Sequence, residues 1–418
     1  MTKQIPILIN GYPVLLQQTT QFNQITVTWH FKAPLERETL TKRSLLANWL
    51  GLSLKYSTLS AFQQRLSYLY GAALDATVEK SGNCHLIHCT LTYANPSLIA
   101  DETFEEDVWC FLQDTLFQPL FTENERTTAL FEREKETLSN RFEMIKEDPG
   151  DLALEQVLQT AFENDTYRYH TIGVKEDIAD LTLTDIAETH REMLTIDEQL
   201  ITVTGDVSLP MITKHLMKFP HGQAKTVRPL TFSDSKLTPL GEQKQTHDVS
   251  QAKVIIMYQV PRICSQRDRV RLQLGYYIWA VDSHSRLFNE VREKAQLAYD
   301  IYGSLNVTKQ LAYAVAGVDD DAVEQALETM KLQQRQMAEN IQLSELELAK
   351  TALWHDLQLE LDDVESVNDI AFSRQLLPYT MTLAQWQAEL GTITPADITN
   401  LMNQWQYKGS FCLTKKEY

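Results

Sequence analysis

The stretch Gln24-Ile25-Thr26-Val27-Thr28-Trp29-His30-Phe31 is answered, 229 positions later, by Lys253-Val254-Ile255-Ile256-Met257-Tyr258-Gln259-Val260. Both runs are dense in β-branched and aromatic residues and read as strands. Each leads into a proline (Pro34, Pro261), a polar turn and a helical pattern. A repeat of about half the chain is far longer than the ~20–50 residues of solenoid units, so it signals duplication of a whole domain.

Working outward, the same offset lays Tyr70 on Tyr299, each expected between a helix and a second strand. Thr122-Glu123-Asn124-Glu125 and Ser344-Glu345-Leu346-Glu347 read as capping boxes opening long charged helices. In such a box a hydroxyl at the N-cap and a carboxylate three residues on satisfy orphan amides reciprocally. Thr182-Leu183-Thr184-Asp185-Ile186 and Thr394-Pro395-Ala396-Asp397-Ile398 start further helices, leading to last strands at Leu200–Thr204 and Phe411–Thr414. The pattern predicts an α+β fold of two tandem homologous domains, each a mainly antiparallel sheet with helices packed on one face. The domains are expected at 1–220 and 241–418, with a Gly-, Pro- and Ser-bearing linker at 221–240. A cleft between duplicated domains is a natural binding site.

With 418 residues, 43% hydrophobic and 22% charged, the sequence can bury real cores. No run reaches the roughly 18 apolar residues of a membrane span, and the N-terminus lacks a basic region before an apolar stretch, so a cytoplasmic protein is expected. Five scattered cysteines do not make a secreted disulfide framework. The formal charge of −18 opposes nucleic acid or an anionic membrane as partner and suits a basic or neutral peptide.

The segment Ser285-Arg286-Leu287-Phe288-Asn289-Glu290-Val291-Arg292-Glu293-Lys294-Ala295-Gln296-Leu297-Ala298-Tyr299, read as helical around 284–299, resembles the C-terminal-half signature of the insulinase/pitrilysin metallopeptidases. Leu200–Val207 resembles the strand and Gly-Asp turn that close the first domain of that family. The resemblance covers nearly the whole chain and matches the short two-domain type found in bacteria. It implies that Arg292 and Tyr299 contact a bound peptide near the scissile carbonyl. Chemically, an Arg fork can hold peptide carbonyls and a phenol can donate to a developing oxyanion. Read without the resemblance, the two are a solvated helix charge and a half-buried core tyrosine.

Active members of the family carry His-x-x-Glu-His on the first helix and a third ligand Glu on a later one. Two imidazoles on one helix face hold zinc, and a carboxylate takes a proton from its bound water. No such motif occurs in this sequence. By alignment with the family, Asn48 and Leu52 stand for the histidines, Gly51 for the catalytic Glu, and Arg141, seven after Glu134, for the third ligand. A cation at 141 opposes zinc. The glycine-rich loop that some non-catalytic members place before Ser-Arg-Leu-Phe is replaced by Ala280-Val281-Asp282-Ser283.

Cys84-His85-Leu86-Ile87-His88-Cys89 lies in a strand pattern, where alternation leaves at most two ligands per face, so zinc is not expected there. Asp319-Asp320-Asp321 reads as the start of a helix, without the spacing of a calcium loop. The resemblance therefore implies a zinc-less subunit, not active alone and without cofactor of its own. It would lend Arg292 and Tyr299 to a zinc-bearing paralogous partner that cleaves peptides, and could pair with itself when alone. The alternative is a non-proteolytic peptide-binding or structural scaffold of the same fold.

Overall fold

A computed structural model of the chain describes residues 4–223, 225–230 and 236–416. Among the described residues the first sheet holds β1 (Ile7–Ile9), β2 (Tyr12–Gln18), β3 (Gln24–Pro34), β4 (Ala73–Ser81), β5 (Cys84–Ala94), β6 (Glu198–Gly205) and β7 (Lys225–Thr226). The second holds β8 (Gly241–His247), β9 (Ala252–Gln259), β10 (Ala298–Asn306), β11 (Leu311–Val318) and β12 (Gln406–Lys415). The orders are β1-β2-β6-β3-β5-β4, with β7 on β6, and β10-β11-β9-β12-β8. All pairs are antiparallel except β2/β6, β6/β7 and β8/β12. The two quoted stretches are β3 and β9, central strands of their sheets, as their continuous apolar character demands.

Strand alternation sorts each sheet into two faces. On β3, Ile25, Val27, Trp29 and Phe31 enter a large core with helices Arg37–Trp49 and Phe104–Phe117. On β9, Val254, Ile256, Tyr258 and Val260 enter the corresponding core with helices Gln266–Ala280 and Val323–Glu339. At 229 positions' offset Trp29 matches Tyr258, and each is an aromatic hub. Trp29 meets Tyr12 edge-on at 4.7 Å, and Tyr258 meets Trp279 edge-on at 5.6 Å.

The compact units are not contiguous in sequence. Unit 1 comprises Met1–Phe142, Tyr169–Leu230 and Glu360–Pro378; unit 2 comprises Glu143–Arg168, Thr231–Leu359 and Tyr379–Tyr418. Two segments thus cross the simple division at 220 and 241. Helix Val364–Leu376 packs on β2, β3 and β6 of unit 1, and helix Pro149–Ala161 on β9 and β12 of unit 2. Each sheet carries its main helical layer on one face, as expected, and one further helix on the other. Of the expected linker 221–240, positions 224 and 231–235 lie outside the described residues.

Local signals hold in part. The helices expected at Thr182 and Thr394 start there, and each start also forms a capping box with both reciprocal bonds, to Asp185 and Asp397. Helix Glu125–Glu147 is instead capped by Asn124, whose Oδ1 accepts from the Thr127 amide at 3.0 Å. Helix Leu343–Leu359 starts one residue before Ser344, and Glu345 accepts from the Gln342 amide at 2.9 Å. The Tyr70/Tyr299 register slips. The left-handed residue before the second strand is Tyr70 (φ 54°) in unit 1 but Gln296 (φ 53°) in unit 2. The second half is three residues shorter between these landmarks, so Tyr299 falls inside β10.

Candidate functional site

In unit 1, the first helix ends at Trp49, so Asn48 sits in its last turn and Gly51 just beyond it. On helix Glu125–Glu147, Glu134, Thr137 and Arg141 recur at the three-, four- and seven-residue spacing that puts side chains on one face. These two elements and β4 border an open pocket of about 240 Å³, lined among others by Asn48, Gly51, Asp75, Glu134, Thr137 and Arg141. Arg141 Nη1 donates to Asn48 Oδ1 at 3.4 Å, joining residues 93 apart in sequence. Leu52 lines none of this cavity; it is buried in the core. Cys89, also on the wall, has its thiol pushed up to about 12 by burial, with Asp75 adding to the shift, and is no thiolate.

The residues present do not fit zinc. Asn48, Gly51 and Leu52 supply no imidazole or carboxylate, and the guanidinium of Arg141 brings positive charge to the cavity. Among the described residues no group of three or more His, Cys, Asp or Glu side chains could hold a metal ion. In the Cys84–Cys89 run, His88 instead meets His30, Nδ1 to Nδ1 at 2.7 Å, and His85 Nε2 meets the Thr171 carbonyl at 3.1 Å. No step is therefore routed through a metal on this chain.

In unit 2, the segment expected to be helical around 284–299 widens into a π-helical turn, Phe288–Lys294, and gives way to β10 at Ala298. π-Helical turns are rare and recur at functional sites. Arg292 lies on this turn with its guanidinium over the Phe288 ring, 4.7 Å from the centroid, and its nearest carboxylate, Glu293, at 4.0 Å. Tyr299 is 63% exposed on β10, the edge strand of its sheet. Its hydroxyl donates to Asp319 Oδ2 at 3.0 Å, and that bond raises the phenol pKa above its ordinary value. Arg292 and Tyr299 thus contact different partners. Phe288 and Asp319, which hold them, went unread in the sequence; the pairing of Ala298 with Val318 brings Asp319 beside Tyr299. Asp320–Ala322 forms the short turn into helix Val323–Glu339, as the acidic run suggested.

The class defined by the fold is one of two similar α+β units, and its first helix carries no His-x-x-Glu-His motif. Residues 180–353 match the family model described as the Peptidase M16 inactive domain. The chain is thus similar to inactive M16-type (insulinase/pitrilysin-like) metallopeptidases, and it lacks the zinc motif. It is 25% identical over 413 residues to the "Probable inactive metalloprotease YmfF" of Bacillus subtilis (strain 168), covering 97% of this chain and 96% of that one. It is also 24% identical over 310 residues to the "Uncharacterized zinc protease YmxG" of the same organism, covering 71% and 68%. A crystal structure of a conserved protein from Enterococcus faecalis V583 shares the fold, with TM-score 0.85 and 23% identity over 98% of this chain and 97% of that one. Among the described residues no helix is long and apolar enough to cross a membrane.

Proposed function

We propose that this chain is the metal-free subunit of a cytoplasmic two-chain peptidase, contributing Arg292 and Tyr299 to peptide cleavage by a zinc-bearing paralogue. The observation that carries this reading is the contrast between the two places. The cavity at the motif position holds Asn48, Gly51 and Arg141, whereas Arg292 and Tyr299 keep polar ends at the surface on a rare helical turn and an edge strand. That one organism has both a probable inactive metalloprotease and a zinc protease among the chain's relatives supports a division of labour.

In this reading the peptide is held by Arg292 through its carbonyls, and Tyr299 donates to the oxygen that becomes negative as the carbonyl turns tetrahedral. In the free chain that proton is shared with Asp319. Exchanging a carboxylate acceptor for a developing oxyanion needs only a turn of the hydroxyl. Catalysis gains because the donor is already positioned when charge develops.

The test is metal content and peptidase activity of the purified chain, alone and mixed with a zinc-motif paralogue from the same genome. The expected result is no stoichiometric zinc and no cleavage alone, cleavage in the mixture, and a roughly 10²-fold loss of turnover in a Tyr299→Phe complex, as for one oxyanion donor. Zinc or cleavage in the lone chain refutes the reading. The second reading, a non-proteolytic scaffold, draws on the same hydrogen bond: the Tyr299 hydroxyl already has an acceptor and Arg292 already stacks on Phe288. It requires that Arg292→Ala and Tyr299→Phe leave any activity of the mixture unchanged.

A further inference from the structure

The cavity of unit 1 has chemistry that the lost metal does not explain. Along helix Glu125–Glu147 it presents a carboxylate, a hydroxyl and a guanidinium in order, Glu134, Thr137 and Arg141. Seven residues at ~1.5 Å each put the two charged positions about 10 Å apart along the helix. Asp75, from the edge strand β4, adds a second carboxylate to the lining.

Arg141 has no carboxylate within ion-pair distance among the described residues; its hydrogen bond, to Asn48 at 3.4 Å, is at the long end of the range. Asn48 carries a further sign of an unmet partner. Its Nδ2 is buried without any acceptor, a state that costs about 1–3 kcal/mol for an amide. A carboxylate taking over Arg141 would free the Asn48 side chain to turn and donate to the same anion.

The charges decide the ligand class. A purely anionic ligand would meet two carboxylates, and a purely cationic one the unpaired guanidinium; a molecule bearing both charges satisfies the lining. The volume of about 240 Å³ lies below the ~300–1,000 Å³ of sites for drug-sized ligands and equals the share of about eight waters. We propose that this cavity binds a short zwitterionic peptide, with its carboxylate on Arg141 and Asn48 and its ammonium toward Glu134 and Asp75. The former metal position thereby becomes a site that recognises peptide termini. This inference concerns unit 1 alone and stands whether or not Arg292 and Tyr299 serve a partner.

The test is calorimetric titration of the full chain, without partner, with alanyl-alanine, its N-acetyl form and its C-terminal amide. Binding of the free dipeptide is expected, with the amide at least about 10-fold weaker, the scale of one charge-assisted hydrogen bond. Arg141→Gln should cause the same loss for the free dipeptide and no further loss for the amide. Glu134→Gln should erase the preference for the free amine over the acetyl form. Equal affinity for dipeptide and amide, indifference to Arg141→Gln, or no binding at millimolar dipeptide overturns the proposal. The comparison of ligands on the unaltered chain keeps the test decisive even if a variant folds poorly.

Discussion

The two units place the same kind of sheet under an added helix, yet the surfaces that receive that helix differ in chemistry. In unit 1 the β3 and β6 residues turned away from the main core include Thr26, Thr28, His30, Thr202 and Thr204, all buried, beside the apolar Leu200. Helix Val364–Leu376 answers with polar groups: Asn368 Nδ2 donates to Thr28 Oγ1 at 2.8 Å, and Thr204 Oγ1 donates to Asn368 Oδ1 at 2.9 Å. His30, hydrogen-bonded through Nε2 to Thr202 at 2.8 Å, stacks on Phe372 with centroids 3.8 Å apart. In unit 2 the corresponding β9 positions are Ile255 and Met257, fully buried, and helix Pro149–Ala161 brings Ala153 and Val157. Duplication kept the architecture while one copy sets a hydrogen-bond network beside an apolar cluster of Leu15, Leu86, Leu200, Phe372 and Leu376, and the other docks through apolar contact. Such polar docking depends on every partner being present, since a half-satisfied buried network is worse than an apolar one.

The largest expected effect tests the face the units share. Trp29→Ala should cost about 3–5 kcal/mol by cavity formation, and Tyr258→Ala a similar amount. Urea titrations of the two variants measure this, and a far smaller loss at Tyr258 would break the equivalence of the two cores. Next comes the face that differs. Asn368→Ala leaves the Thr204 hydroxyl without its acceptor, while Thr28 keeps Thr90 at 3.1 Å, and should cost about 1–3 kcal/mol. Combining Asn368→Leu with Thr28→Val and Thr204→Val imitates the apolar pattern of unit 2 and should cost less than Asn368→Leu alone; strict additivity would sink the account.

The remaining test is with pH. Four histidines of unit 1 are held neutral. Burial, then the charge of His88, pushes His30 well down; burial and the Arg43 cation push His85 to about 3; burial and Lys80 push His170 to about 4. Burial also lowers His190, against an opposing bond from the Leu116 carbonyl. Each has a folded pKa below its unfolded value near 6.5, so the unfolded state binds more protons as pH falls. Their contribution is complete above about 6.5 and is lost on acidification toward the folded values, by about 1.4 kcal/mol per pH unit for each histidine still neutral. Hydrogen exchange between pH 7 and 5 should show β3 losing protection faster than β9, and His30→Gln, the residue at 259, should narrow the gap. Equal losses in both strands would remove the histidines from the explanation.

What the sequence made legible was whatever rests on local pattern. β3 and β9 announce themselves by composition, and Thr182 and Thr394 are legible as helix starts. The missing zinc motif could be read directly from residues. That Asn48 and Arg141 meet followed only from resemblance, since nothing local links positions 93 apart. The exchanged helices were not legible, because a helix pattern says which face is apolar but not which sheet it covers. Asp319 as the acceptor for Tyr299 depends on strand register, and the π-helical turn hides inside an ordinary helical pattern. The misplaced cap at Thr122 reflects two good cap residues competing within one turn, with Asn124 prevailing.

The return of helix Val364–Leu376 to unit 1 sets a schedule for biosynthesis. Thr28 and its partner Asn368 are 340 residues apart. At about 5–20 residues per second, a ribosome needs on the order of tens of seconds between making one and the other. During that interval the hydroxyl-lined side of the nascent sheet has no cover of its own. A message truncated before residue 360 would yield a first half that never acquires it, so the two halves of this duplicated gene cannot be separated at the point where the duplication joined them.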